Sequence, residues 1–409
     1  MHLAHLRLRD FRNYPRLDAD FSPGFHVLLG DNAQGKTNIL EAVYLMATLR
    51  SFRGVGSAQM IRHGQKGYFV GGKIVGSAIS ARPFSSLSSA DGGEGRGEEA
   101  SLSPNQNPSP QASPRLSGER ETSILTSHAS REIKMYWSAA ERSLSLDGRP
   151  VKKLADYLGT LRAVVFCTED LQLVKGTARI RRRFVDLLLS QTHPTYLPLL
   201  QRYAQSLRSR NALLKRPVLD EAALDSFTRE LVSTGKEIIR LRRELIPKLS
   251  PLARLAYRRI SNDAEELRIE YLPGVKKDFA VELAQSRRRE QTYRATLVGP
   301  HRDDLQLLLN DRSAAQFGSE GQKRTLAIAL KMAQAEYLTG LHGSPPVLLI
   351  DDVMGELDVK RRGGFLPLLE RAHQARGQVF MTCTEENWPR ELGRELQRWE
   401  VKAGALRGF

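Results

Sequence analysis

The sequence predicts an α/β protein with a helical lobe inserted in its middle, and two observations lead to this class. Apolar runs typical of strands alternate with helical segments in the first 50 residues and again after residue 290. Between residues 178 and 290, apolar residues recur at spacings of three and four, which is the period of an α-helix. The helical segments there are too short for a long coiled coil.

The composition favours a polyanionic partner. The 409 residues carry 62 Lys and Arg against 46 Asp and Glu, a formal net charge of +16. Such a balance points to nucleic acid more than to acidic small substrates. With only Cys167 and Cys383, a disulfide framework is excluded and a zinc site is disfavoured. The sequence has neither a signal core nor a membrane-length apolar run, so we expect a soluble, cytoplasmic protein.

The elements outside the helical lobe follow from local patterns. Residues 2–9 and 25–30 alternate or run apolar, as strands do, and GFHVLLG ends in a glycine turn that ILEAVYLMATL continues as a helix. The remaining expected elements are strands at 67–75, 131–137, 142–151, 269–274, 347–350 and 378–382, a strand or hairpin at 295–310, and helices from Glu320 and after Asp358.

The helical lobe is expected to contain four helical segments. They are 181–189, 196–215, 224–249 and 252–260.

Residues 77–130 differ from their surroundings because Ser, Gly, Pro and polar residues dominate them. Such a segment cannot bury enough apolar surface to offset its ordering entropy, so we predict a disordered insertion that serves as a spacer between two strands. The predicted division is then a first lobe at 1–76, the insertion at 77–130, the first lobe continued at 131–177, a helical second lobe at 178–290, and the end of the first lobe at 291–409.

The stretch GDNAQGKT predicts a nucleotide site, because it fits the pattern G-x-x-x-x-G-K-[ST] between a strand and a helix. The glycines let backbone N–H groups curl around phosphates, and the helix dipole favours negative charge there. Lys36 is expected to reach the β- and γ-phosphates, and Thr37 to bind Mg²⁺. The predicted nucleotide contacts are Gly30, Asp31, Asn32, Ala33, Gln34, Gly35, Lys36, Thr37 and Asn38.

A second carboxylate for this site is predicted in VLLIDD. Four apolar residues end in Asp351, at the edge of a buried strand where ligand sites of parallel sheets lie. Asp351 is the candidate Mg²⁺ partner, and Asp352 is placed to orient or deprotonate the attacking water. Either aspartate alone is also compatible with an acidic residue that merely ends a strand.

The stretch FGSEGQKRT predicts a second glycine turn that opens a helix. Since this helix runs antiparallel to the strand ending in Asp351, both glycine-rich helix starts are expected along one edge of the sheet. The second start, with Ser319 and the N–H groups near Gly321, would face outward and grip a γ-phosphate supplied by another copy. The structural alternative is an ordinary N-cap, with the Ser319 side chain capping Gln322.

Taken together, these motifs resemble the SMC-like branch of the ATP-binding-cassette (ABC) ATPases, and within it the RecF family of DNA replication and repair proteins. The matching stretches are LRLRDFRNY (6–14), GDNAQGKTNILEA (30–42), TEDLQLVKGTARIRRRFVD (168–186), YAQSLRSRNALLK (203–215), GPHRDDL (299–305), SEGQKRT (319–325) and LLIDDVMGELD (348–358).

The resemblance implies an ABC-type ATPase head that binds ATP, Mg²⁺ and DNA. ATP would join two copies head to tail, with Ser319, Gly321 and Gln322 acting in trans and Asp358 near the interface. It also implies work at gapped DNA or at junctions of single and double strands, where RecR and RecO help to load recombinase.

The sequence departs from the general cassette pattern at two points. Those ATPases usually have Glu where Asp352 stands, and the shorter side chain predicts slow hydrolysis, suited to a switch. The glutamine that senses the γ-phosphate has no clear equivalent, and Glu169 or Asp170 are the candidates for its place.

Four basic clusters could contact DNA phosphates, although any one of them also fits a solvated helix face. The clusters are Arg179–Arg183, Arg240–Arg243, Arg258–Arg259 and Arg287–Arg289.

Two other functions stay open: a P-loop kinase, which would give no role to SEGQ, and a scaffold with a vestigial nucleotide site.

Overall fold

The computed structural model describes residues 1–76, 129–261, 265–356, 358–384 and 396–409. The predicted insertion at 77–130 therefore lies outside the described residues, except for its last two residues, which begin a strand. The strands are β1 (His2–Phe11), β2 (Tyr14–Asp20), β3 (Gly24–Leu29), β4 (Gly67–Gly76), β5 (Ala129–Ser138), β6 (Arg142–Leu146), β7 (Arg149–Pro150), β8 (Ala163–Phe166), β9 (Leu267–Leu272), β10 (Asp304–Leu309), β11 (Arg312–Ser313), β12 (Val347–Asp351), β13 (Gln378–Cys383), β14 (Leu396–Lys402) and β15 (Ala405–Gly408). The helices are α1 (Lys36–Thr48), α2 (Gln172–Lys175), α3 (Ala178–Thr192), α4 (Tyr196–Leu214), α5 (Glu221–Ser261), α6 (Phe279–Tyr293), α7 (Ala314–Phe317), α8 (Glu320–His342) and α9 (Val359–Gln374).

A mostly parallel sheet forms the centre of the molecule, in the order β15-β14-β3-β13-β12-β8. Strands β14, β3, β13, β12 and β8 are parallel, and only β15 pairs antiparallel. Their carboxyl ends therefore share one edge of the sheet, where Leu29, Phe166, Asp351 and Cys383 lie. The α/β class predicted from the sequence is confirmed.

Both faces of this sheet are buried, and neighbouring residues of β12 enter different cores. Val347 and Leu349 pack into the core under α1 and the antiparallel sheet β2-β1-β4-β5-β6-β7. Leu348 and Ile350 pack into the core shared with α5, α8 and α9. A strand covered on both faces needs a continuous apolar run, which explains why VLLI predicts it correctly.

The helical region differs from the expectation at α5. The segments predicted at 224–249 and 252–260 form one helix of 41 residues, although Pro247 and Pro251 lie inside it. Each interior proline disfavours a helix by about 3 kcal/mol. Burial of one stripe of α5 against α4, α8 and α9 offsets this cost.

Two further elements were incompletely predicted. Helix α6 was not identified from the sequence, although Asp278 caps it by accepting hydrogen bonds from the Ala280 and Val281 amides. In the 295–310 segment only β10 is extended, and it forms a short hairpin with β11. The division of the chain into two lobes stays a prediction.

None of the helices in the described parts of the chain is both long enough and apolar enough to span a membrane.

Candidate nucleotide-binding site

The predicted P-loop joins β3 to α1 at the carboxyl edge of the parallel sheet. Gly30 has φ +150° and Gly35 has φ +116°, and Ala33 between them also has a positive φ of 65°. These backbone conformations turn the chain back toward the start of α1, as phosphate-binding loops require. The strand, turn and helix order predicted from GDNAQGKT is confirmed.

Two hairpin turns brace the P-loop from outside. Asn13, in the β1–β2 turn, donates its amide to the Gln34 carbonyl at 2.7 Å. Ala403, in the β14–β15 turn, donates its backbone N–H to the Gln34 side chain at 2.7 Å. A Cβ placed on Gly35 would lie 2.6 Å from the Asn13 amide nitrogen, so only glycine fits there without a shift. These contacts within the protein help to hold the loop in its phosphate-binding shape.

Lys36 lies folded over the loop. Its ammonium group donates to the backbone carbonyls of Gly30 and of Asp31, the latter at 2.9 Å, and the residue is only 8% exposed. Burial lowers the pKa of Lys36, and the charge of Asp352 opposes part of that shift. The loop carbonyls hold the cation at the place where phosphate oxygens could replace them.

The contact between Thr37 and Asp351 joins the two predicted halves of the site. Thr37 donates its hydroxyl to Asp351 Oδ1 at 2.8 Å, although 314 residues separate them in the chain. Thr382, opposite Asp351 on the neighbouring parallel strand, donates to the same oxygen at 3.0 Å. Burial raises the pKa of the Asp351 carboxyl group.

These oxygen atoms fit a magnesium site that is completed by phosphates. A hydroxyl and a carboxylate are hard oxygen ligands, and Mg²⁺ usually takes one or two protein ligands together with water and phosphate. The described residues contain no cluster of three or more His, Cys, Asp or Glu that could hold a metal ion by itself. A nucleotide would have to supply the remaining ligands.

Asp352 lies beside this pair in an uncommon backbone conformation. Its φ is 54°, its side chain is exposed, and its backbone N–H donates to the Thr382 hydroxyl at 3.0 Å. A non-glycine residue held at positive φ is strained and is often found at functional sites. The side chain is exposed to solvent, so a water molecule can reach it.

Sequence reasoning missed two residues that shape the site, Thr382 and Asn13. Thr382 ends the predicted strand QVFMT, next to Asp351, so the parallel-sheet rule that selected Asp351 could also have selected it. Asn13 carries no comparable signal, because its contact with the P-loop depends on how β1 and β2 pack on the parallel sheet.

The structure separates the two candidates for the γ-phosphate sensor. Asp170 has a structural role, because its carboxylate accepts a hydrogen bond from the Cys167 N–H at 3.0 Å and lies 3.5 Å from the Lys331 ammonium. Glu169 is exposed, and its charge contributes, after burial, to the raised pKa of Asp351. Of the two side chains, only that of Glu169 is available to the nucleotide site.

The second helix start carries the N-cap that was considered as the structural alternative. The Ser319 hydroxyl accepts from the Gln322 N–H at 3.2 Å, and the Gln322 side chain accepts from the Ser319 N–H at 2.6 Å. Ser319 is nevertheless exposed. The Arg361 guanidinium covers Gly321, 2.7 Å from where a Cβ would lie, and is itself held by Asp358 at 3.0 Å.

Both helix starts lie at the carboxyl edge of the parallel sheet, but on opposite faces and far apart. Lys331 in α8 meets Asp170 just after β8, and Glu320 lies eleven residues before it. At 1.5 Å per residue, the start of α8 is about 16 Å further along the helix axis. Strands β13 and β12 also separate β3 from β8, which adds about 14 Å sideways at the usual strand spacing. Ser319 therefore cannot touch its own P-loop.

Several arginines of the four basic clusters form ion pairs or hydrogen bonds within the protein. Arg181 is paired with Asp304, and Arg242 is buried between Asp186 and Asp303. The other paired members are Arg182, Arg240, Arg259 and Arg287, with the Asp303 carbonyl, Glu237, Glu336 and Glu221 as their respective partners. Many of the arginines that suggested DNA contacts are therefore structural.

Comparisons with known proteins point to one family. The chain is 34% identical over 420 residues to the DNA replication and repair protein RecF of Symbiobacterium thermophilum, covering 99% of this chain and 98% of that one. A solved structure of the recombination mediator protein RecF-ATP in the RecFOR pathway matches with a TM-score of 0.79 and 26% identity, over 100% of this chain and 97% of that one. An Smc head domain from Pyrococcus furiosus matches the fold with a TM-score of 0.54 and 14% identity, over 100% of this chain and 96% of that one. No protein-family model matches the chain.

Proposed function

This chain belongs to the RecF family of DNA replication and repair proteins, and from that premise we propose that it is an ATP-switched DNA clamp. ATP binding pairs two copies on gapped DNA or on a junction of single and double strands, and slow hydrolysis releases them. With RecO and RecR, the clamp assists the loading of recombinase. The fold is that of an ABC-type ATPase head.

The contact between Thr37 and Asp351 carries the nucleotide part of the proposal. It brings a hydroxyl and a carboxylate together beside a P-loop that is already shaped. A kinase would also use such a pair, but it would need a separate acceptor pocket and would have no use for the second helix start. A vestigial site would have no reason to keep the pair and Lys36 in place.

Each residue has a defined task in this proposal. Lys36 exchanges the loop carbonyls for phosphate oxygens and balances their charge. Thr37 and Asp351 would hold Mg²⁺, which supplies charge neutralisation at the phosphates. Asp352 orients or deprotonates the attacking water, and its short side chain keeps this step slow.

The position of Ser319 supports a site shared between two copies. Because Ser319 is exposed and about 16 Å beyond the level where α8 meets the sheet edge, it cannot serve its own nucleotide. In a head-to-tail pair, Ser319, Gly321 and Gln322 contact the nucleotide bound to the other P-loop. Phe317, two residues earlier, is 70% exposed and is available for burial in the same interface.

Mixing two inactive variants tests the proposal. Lys36→Ala removes the P-loop cation, and Ser319→Arg blocks the second helix start, so neither variant should pair with MgATP. The mixture should regain ATP-dependent pairing in sedimentation velocity, because one of its two composite sites contains both intact halves.

A matched variant and two contrary outcomes complete this test. Ser143→Arg places the same bulk on exposed strand β6 and should pair like the unchanged protein. A mixture that stays monomeric, while the unchanged protein pairs, would contradict the shared site and favour a kinase. Pairing that ignores both variants would point to a vestigial site.

A further inference from the structure

A groove of about 1070 Å³ lies outside the nucleotide site. It lies between the end of α1, the segment around Leu154 and Leu158, and helices α3 and α4. Five arginines line it: Arg50, Arg179, Arg182, Arg183 and Arg208. We call this surface the arginine groove.

Four of these guanidinium groups have no partner among the residues that the structure describes. Within the described residues, Arg50, Arg179, Arg183 and Arg208 form no hydrogen bond through the side chain and no ion pair, whereas Arg182 donates to the Asp303 carbonyl at 2.6 Å. All four are exposed. Arg183 is nevertheless partly enclosed by its neighbours; this partial burial lowers the pKa of its guanidinium, and the charges of Arg50 and Arg179 lower it further. An anion in the groove would relieve this repulsion.

The groove contains almost no opposing charge. Asp186 is the only carboxylate among its described lining residues. One oxygen of Asp186 already accepts from Arg242 at 2.7 Å and from the Tyr196 hydroxyl at 2.6 Å. The field in the groove is therefore strongly positive, and this favours a polyanion over a single small anion.

The lining also distinguishes between kinds of nucleic acid. Sites for single strands usually offer exposed aromatic side chains on which bases stack. The only aromatic among the described lining residues is Tyr44, which is 7% exposed. Guanidinium groups without a stacking surface fit phosphates and sugars, so the expected contact is the backbone of a duplex.

We propose that the arginine groove binds the phosphate backbone of duplex DNA, with Arg50, Arg179, Arg183 and Arg208 as the contacts. This inference rests on the proposed function and adds the surface at which DNA lies. It also predicts that binding is independent of sequence, because contacts to phosphates carry no sequence information.

The test compares two double variants of equal charge. Arg179→Ala with Arg183→Ala removes two groove cations, and Lys66→Ala with Lys73→Ala removes two exposed cations at β4, outside the groove. Affinity for a fluorescent 30-bp duplex is measured by anisotropy with MgATP between 50 and 200 mM salt. The slope of log K against log salt is negative, and two lost phosphate contacts should make it less steep by about 1.8. Binding should weaken roughly 10- to 100-fold. The Lys66 and Lys73 variant should behave like the unchanged protein.

Each other outcome overturns the inference. If the groove variant binds duplex DNA as well as the unchanged protein does, the groove is not the DNA contact. The proposed DNA-clamp function would not be contradicted by that result. If both variants weaken equally, the effect is one of net charge alone. If polyglutamate binds the unchanged protein but not the groove variant, while duplex affinity is the same for both, the groove receives an acidic protein segment. If the unchanged protein binds no DNA at all, the proposed function fails first.

Discussion

At the scale of single residues, the site depends on one carboxylate that three chain segments share. Asp351 accepts hydrogen bonds from the hydroxyl groups of Thr37 and Thr382, and it lies at the end of a buried strand. The sequence predicts Asp351 and Thr37 because a strand end and a P-loop each have a recognisable pattern. It does not predict Asn13, whose role arises only from packing.

Asp351→Asn should separate stability from activity. Burial raises the pKa of Asp351, so protonation favours the native state and ionisation costs stability as pH rises through the native pKa. Without nucleotide, the Asn variant should therefore be more stable than the unchanged protein at pH 7. The difference should close as pH approaches the unfolded value of about 3.9. MgATP hydrolysis should fall at least about 100-fold, since several kcal/mol of charge stabilisation is lost.

Urea unfolding from pH 4 to 8 and a phosphate-release assay measure these two effects. Asp156→Asn, at an exposed position, is the matched control and should alter neither quantity. If the Asn variant is less stable than the unchanged protein at pH 7, the negative charge of Asp351 does not destabilise the native state.

At the scale of elements, the predictions succeed where one local pattern dominates and fail where packing overrides it. The strands β3, β12 and β13 and the helices α1 and α8 follow from apolar runs and from turns with glycine. Helix α5 does not, because its prolines predict two segments while its buried stripe holds a single helix. Propensity is a local quantity, whereas the burial that outweighs it is not.

Pro247→Ala should therefore stabilise the protein. Pro247 is exposed inside α5, so alanine restores a backbone donor and removes a clash without disturbing the core. The expected gain is about 1–2 kcal/mol in the free energy of unfolding, less than the full proline penalty because the helix has already adapted. Chemical unfolding measures it, and a loss of stability would mean that Pro247 itself is needed for packing.

At the scale of the whole molecule, the sequence predicts the kinds of sites but not the distances between them. Both glycine-rich helix starts lie at the carboxyl edge of the sheet, as expected, although α1 and α8 pack on its opposite faces. The distance between Ser319 and the P-loop of the same copy depends on where α8 passes the sheet edge. That point is at Lys331, and the sequence does not indicate it. The same holds for the arginine groove, where residues from α1, α3 and α4 meet.

Phe317→Ala should weaken ATP-dependent pairing without affecting nucleotide binding by one copy. An aromatic side chain that is 70% exposed next to the second helix start would be buried by the partner. Its truncation should raise the dimer dissociation constant roughly 10- to 100-fold, the usual range for an aromatic anchor. Sedimentation with MgATP measures the change, and equilibrium binding of a fluorescent ATP analogue to dilute protein serves as the check. Tyr293→Ala, at a residue 67% exposed at the end of α6, should have no effect. Equal pairing of both variants would place Phe317 outside the interface.

The bracing of the P-loop by the β14–β15 turn has a consequence for biosynthesis. Residues 30–37 emerge early from the ribosome, but Ala403 and the strand that pairs with β3 emerge some 370 residues later. At translation rates of about 5–20 residues per second, the interval is about 20–70 s. Throughout that time the nascent chain contains the phosphate-binding residues and the Asn13 contact but lacks the contact from the β14–β15 turn. We therefore expect a ribosome-bound fragment to bind ATP only after its folding is complete.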